Sequence, residues 1–93
     1  SVANGVYASR ATVGEVCYPS IVNIGFSPSV VEGGCRRVEV HIIGFDADIY
    51  GQTIAVELVE FLRPECKFPS REALVDQIRK DVATATDKLK VES

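Results

Sequence analysis

Apolar residues recur in two periods along this chain, and the switch between them divides it. Through the first two thirds the period is two, as in a strand whose side chains alternate between faces. The clearest case is "VEVHII", with Val38, Val40 and Ile42 on one face and Glu39, His41 and Ile43 on the other. "GVYASR", Gly5 to Arg10, predicts a short strand with Val6 and Ala8 on one side and Tyr7 on the other. "VCYPSIVNIG", Val16 to Gly25, is rich in β-formers but holds Pro19, which marks an edge, a bulge or a strand start because proline cannot donate to a ladder. "TIAVELVEFL", Thr53 to Leu62, predicts a long fourth strand with Glu57 and Glu60 interspersed. Between these runs, "FSPSVVEGG" (Phe26 to Gly34) reads as a loop and "GFDADIYG" (Gly44 to Gly51) as a turn bounded by glycines.

After "RPECKFP" the period becomes helical. Ser70 is a good N-cap, and Pro69 just before it excludes a longer helix upstream. Leu74, Ile78, Val82, Ala85 and Leu89 form one stripe, predicting a helix from about Arg71 to about Lys90 whose Leu74, Ile78 and Val82 pack against the sheet. Four strands and one C-terminal helix make a mainly-β or α+β domain, an antiparallel sheet or barrel with a helical cover. At 93 residues the chain is one domain, 1–93.

Composition narrows the function more than the fold. The chain is 46% hydrophobic and 25% charged, as in an ordinary soluble protein. Its net charge of −3 argues against a general nucleic-acid binder, which carries a basic face. No apolar run is long enough to span a membrane and no signal peptide is visible, so a cytoplasmic domain is expected. Cys17, Cys35 and Cys66 include no C-x-x-C pair, and with His41 the sole histidine a zinc ligand set is not assembled. Each cysteine is expected to be a reduced small hydrophobe.

Glu39 has two readings on these grounds. It is either a cross-strand partner of His41 on the wet side of a sheet, or a carboxylate at a cleft that takes a proton from an alcohol. Spacing alone does not choose between them.

Six segments together resemble a known family. They are "GVYA" (Gly5 to Ala8), "NIGFSPS" (Asn23 to Ser29), "EVH" (Glu39 to His41), "FDADIYG" (Phe45 to Gly51), "FLRPECKF" (Phe61 to Phe68) and "QIRKD" (Gln77 to Asp81). In order and spacing they are similar to riboflavin kinase modules, particularly the C-terminal half of bacterial bifunctional FAD synthetases. That resemblance implies a small antiparallel β-barrel closed by a C-terminal helix. It also implies transfer of the γ-phosphoryl of ATP, with Mg²⁺, to the 5′-hydroxyl of riboflavin, giving FMN.

Glu39 then matches the family's catalytic base, and Arg63 an arginine on the flavin side. For Arg63, structural pairing with Glu65 or a neighbouring carboxylate is an equal alternative. Leu74 and Gln77 fall on the helix that lies near the flavin in the family. Asp46 and Asp48 are read as turn caps rather than metal ligands, and His41 as a packed or hydrogen-bonded side chain. Gly33 and Gly34 lack the strand and helix that flank a phosphate loop.

The resemblance has a gap. The family's Pro-Thr-Ala-Asn motif, which holds Mg²⁺ and the ATP phosphates, stands upstream of the G-V-Y-A strand, where this chain has only "SVAN". Asn23 and Ser29 belong to a different motif and do not replace it, so no metal ligand is assigned. The expectation is a barrel incomplete at its N-terminal strand, impaired in catalysis. Flavin binding without catalysis, or self-association through the open edge, is the alternative.

Overall fold

The computed structural model describes residues 2–27, 35–45 and 53–91. Four strands, β1 (Gly5–Val13), β2 (Val16–Ser27), β3 (Cys35–Ile42) and β4 (Ile54–Arg63), precede one helix, α1 (Arg71–Val91). The strands form a single antiparallel sheet in the order β3-β2-β1-β4. Among the described residues β3 and β4 are not paired with each other, so the expected barrel is an open sheet carrying a helix.

The β1–β2 hairpin closes over Gly14 and Glu15, with Val13 opposite Val16. Gly14 has φ 63°, and a positive φ at the first central position is the II′ pattern that matches the twist of paired strands. β1 runs three residues beyond the predicted Arg10 because Ala11 and Val13 are buried along with Val6 and Ala8. Pro19 sits inside β2 opposite Arg10, and its carbonyl accepts from the Ile43 amide at 2.9 Å. A strand residue's amide and carbonyl point the same way, so the missing donor faces β3 at the point where that strand ends. The proline therefore marks the end of a ladder. β1 and β4 are offset by register shifts at Val6/Tyr7 and Ala8/Ser9.

The alternation predicted for residues 38 to 43 holds. Val40 and Ile42 pack with apolar residues on the face away from α1, and Ile43 packs with the core under the helix. That core joins Val6, Ala8 and Ile21 to Ala85 and Leu89, with Val59, Leu62 and Val82 around them. The far face holds Tyr7, Val22 and Ile24, with Tyr7 edge-on to Phe61 at 5.2 Å. Ser9 and Ser20, paired in register and fully buried, satisfy each other through a 2.7 Å hydrogen bond.

Ser70 caps α1 as predicted, its Oγ accepting from the Ala73 amide at 3.1 Å. Glu72 in the first turn and Lys88 and Lys90 in the last oppose the helix dipole favourably. Only the second half of the stripe behaves as expected. Ala85 and Leu89 are buried, but Leu74 and Ile78 are each 40% exposed. The reason is geometric: α1 meets the sheet with its C-terminal half and stands off it at the other, which opens a space beneath Leu74 and Ile78. Cys17 and Cys66 are free thiols, as expected, and both are exposed. The predicted turn caps Asp46 and Asp48, together with Ser29, Gly33 and Gly34, lie outside the described residues.

Candidate functional site

The space under the first half of α1 is a cleft of about 480 Å³. Val6, Ile21, Phe68, Leu74 and Ile78 supply its apolar wall, and Asn23, Arg37, Glu39, His41, Arg63, Glu65 and Asp81 its polar groups. An apolar cavity of this size with a few convergent polar groups has the form of a small-molecule site.

Glu39 reaches it from the middle of β3, on the face that the alternation gives it with His41 and Ile43, which is the side toward α1. Its side chain is 59% exposed, and Oε1 lies 3.7 Å from Nε of Arg37, two residues away on the same face. The pair is loose, so the carboxylate remains free to accept a hydrogen bond from a ligand hydroxyl. His41, next on this face, is exposed and also borders a shallower groove with Val75, Ile78 and Val82.

Arg63 enters from the end of β4. Its Nε donates to Asp81 Oδ1 at 3.0 Å and its Nη2 to Asp81 Oδ2 at 2.8 Å, the two-pronged geometry of a strong charge-assisted pair. Nη1 donates to the Pro64 carbonyl at 3.2 Å and approaches Cys66 Sγ at 3.5 Å. The guanidinium carbon stands 5.8 Å from the centre of the Phe68 ring, within cation–π range. Hydrogen bonding to Asp81 raises the Arg63 pKa above its ordinary value, against the opposing effect of burial. Glu65, the other candidate partner, sits instead against Gly25, where an added Cβ would collide with its carboxylate.

Gln77 donates Nε2–H to Asp81 Oδ1 at 3.1 Å, so Arg63 and Gln77 converge on one buried carboxylate, 6% exposed. Among the described residues Gln77 does not line the cleft, whereas Leu74 does. Asp81 was missed as a site residue, although a signal existed. It falls three residues after Ile78 and four before Ala85, in the apolar stripe, where an unpaired charge would be costly.

Asn23 was set aside as well. It sits in β2 opposite Glu39 on β3 and Val6 on β1, and lines the cleft. Among the described residues no three acidic, histidine or cysteine side chains come together as a metal site.

A family model described as "Flavokinase: Riboflavin kinase" matches residues 1–89. The chain belongs to the riboflavin kinase family. The RNA-binding riboflavin kinase RibR of Bacillus subtilis is 33% identical over 88 residues, covering 95% of this chain and 38% of that protein. The bifunctional riboflavin kinase/FMN adenylyltransferase of Haemophilus influenzae is 41% identical over 83 residues, covering 87% of this chain and 26% of that protein. The chain thus spans well under half the length of these two relatives. A solved structure described as a macrolide-efflux protein from Streptococcus pneumoniae superposes with a TM-score of 0.82 at 31% identity, over 89% of this chain and 27% of that one. The riboflavin kinase motifs quoted from the sequence fall within this matched span, and Glu39, Arg63 and Leu74 meet at a single cleft. No helix among the described residues is long and apolar enough to cross a membrane.

Proposed function

We propose that this chain is a riboflavin kinase module that binds riboflavin in the cleft under α1 and directs its 5′-hydroxyl toward Glu39. The carrying observation is that Glu39, on the helix-facing side of β3, lines a cavity walled by Leu74, Ile78 and Phe68. The apolar wall suits a flavin ring. Leu74 contacts it, while Arg63 and Gln77 hold that side of the site through Asp81. Glu39 accepts the proton of the attacking hydroxyl as its oxygen bonds to the γ-phosphorus of ATP, and ADP leaves. Such transfers need mainly positioning and neutralisation of charge, so one carboxylate suffices as the base.

The 93 residues contain no Pro-Thr-Ala-Asn sequence, and on this reading the chain by itself holds flavin better than it turns it over. The test compares the chain with a version extended upstream by roughly 20 to 30 residues that carry the family motif, about one strand and its loop. With ATP and Mg²⁺ the extended protein is expected to form FMN, and Glu39→Gln to slow it on the order of 10² to 10⁴-fold while riboflavin still quenches. An extended protein that makes no FMN, with Glu39→Gln changing nothing, overturns the proposal.

A second reading, flavin binding without catalysis, draws on the same cleft and on the lack of a Pro-Thr-Ala-Asn sequence in the 93 residues. It predicts quenching in both versions and turnover in neither. The outer sides of β3 and β4, unpaired among the described residues, also allow association between copies, which light scattering across a concentration series would detect. A net charge of −3 argues against an RNA partner.

A further inference from the structure

We propose that Asn23 is a substrate-binding residue whose side-chain carbonyl accepts a hydrogen bond from the hydroxyl-bearing chain of the flavin. The inference rests on the flavin reading above and adds a residue to it. Asn23 lines the cleft, and its Oδ1 is closed off from water with no hydrogen-bond donor among the described residues. Burying an acceptor without a donor is unfavourable, and folded proteins rarely leave one so. A turn of the Asn23 amide about its last torsion brings this orphan acceptor to the cleft, where a bound hydroxyl supplies its donor.

Its surroundings say what kind of ligand atom that is. Arg63, which also lines the cleft, is committed to Asp81, and Arg37 lies beside Glu39. Glu39 is the residue directly opposite Asn23 across the β2–β3 ladder. Cα atoms of such a pair stand roughly 4.5 to 5.5 Å apart, a span that successive hydroxyls of a polyol can bridge. Two acceptors side by side favour a donor-rich segment. The ribityl chain is such a segment. With its 5′-hydroxyl at Glu39, an inner hydroxyl falls to Asn23, which selects flavins that carry the polyol over the bare ring.

The experiment measures fluorescence quenching of riboflavin and of lumiflavin, which keeps the ring and its N–H but lacks the ribityl chain. It uses this chain and its Asn23→Leu variant, with thermal melts of both. Asn23→Leu is expected to weaken riboflavin binding about tenfold, the loss of one hydrogen bond, and to leave lumiflavin binding within about twofold. Its Tm is expected at or above the parent's, because the variant no longer buries an unsatisfied carbonyl. Unchanged riboflavin affinity in the variant overturns the role of Asn23, as does equal weakening of both flavins with a lowered Tm, which marks a packing role. If the parent quenches neither flavin, the flavin reading itself fails and this inference with it.

Discussion

Removing the Arg63 guanidinium would leave Asp81 buried beside Gln77 with its main counter-charge gone. Stranding a buried charge in this way costs about 3 kcal/mol or more. For a domain of this size Arg63→Ala is therefore expected to lower Tm by roughly 10 to 20 °C in a circular dichroism melt. Arg63→Lys keeps the charge without the planar fork and recovers only part of the loss. A melt unchanged by Arg63→Ala would mean that the pair contributes little to folding and that the arginine serves the ligand alone. The raised Arg63 pKa has a definite sign. Its stabilisation is complete below the ordinary arginine range and disappears only in strong alkali, so it gives no pH dependence near neutrality.

At this scale the sequence was legible where a residue repeats its neighbours' pattern and opaque where it breaks it. Glu39 was found through a motif and through alternation. Asp81 and Asn23 each replace an apolar side chain on a buried face, and such a break was readable only as a bare polar position. Asp81 meets Arg63 of β4 and Asn23 stands opposite Glu39 of β3, and no local spacing encodes either placement.

Among the elements, α1 carries the clearest division of labour. Leu89 is buried in the core with Val6, Ala8 and Ile21, whereas Leu74, on the same stripe, is 40% exposed over the cleft. Leu89→Ala is expected to cost about 2 to 5 kcal/mol in urea denaturation. Leu74→Ala should cost only a fraction of that, since area left in water contributes nothing to folding. In quenching titrations the order reverses, with Leu74→Ala weakening riboflavin binding several-fold in a protein only slightly less stable than its parent. Equal destabilisation by both substitutions would show that the stripe packs uniformly after all. The helix period predicted one continuous contact because periodicity reports which face is apolar, not how closely that face approaches its neighbour. Strand positions came through well for a similar reason: alternation is a property of each strand alone. The extensions of β1 and β3, the β1–β4 register shifts and the role of Pro19 depend on pairing, and pairing is set by partners distant in the chain.

For the whole molecule, the open sheet is the main consequence of these local facts. The radius of gyration is 14.0 Å, against about 12 Å expected for a compact domain of this length. The class of fold could be read from the element order, and the open wall agrees with the barrel expected to be incomplete: among the described residues the two outer strands of the sheet, β3 and β4, do not pair with each other. A ligand in the cleft would bridge β3 and α1, two elements otherwise joined chiefly through β1 and β2. Since it binds only the folded form, it would also stabilise that form by mass action, by about 2.7 kcal/mol at a hundred times its dissociation constant.

A helix packed on the sheet along its C-terminal half and standing off it along the other should breathe unevenly. In deuterium exchange, amides from Leu74 to Gln77 are expected to exchange through local opening, while those around Ala85 and Leu89 wait for global unfolding. Riboflavin should slow the first group far more than the second. Uniform protection along all 21 residues would mean that the helix moves as one rigid rod and that the cleft does not depend on its looser end.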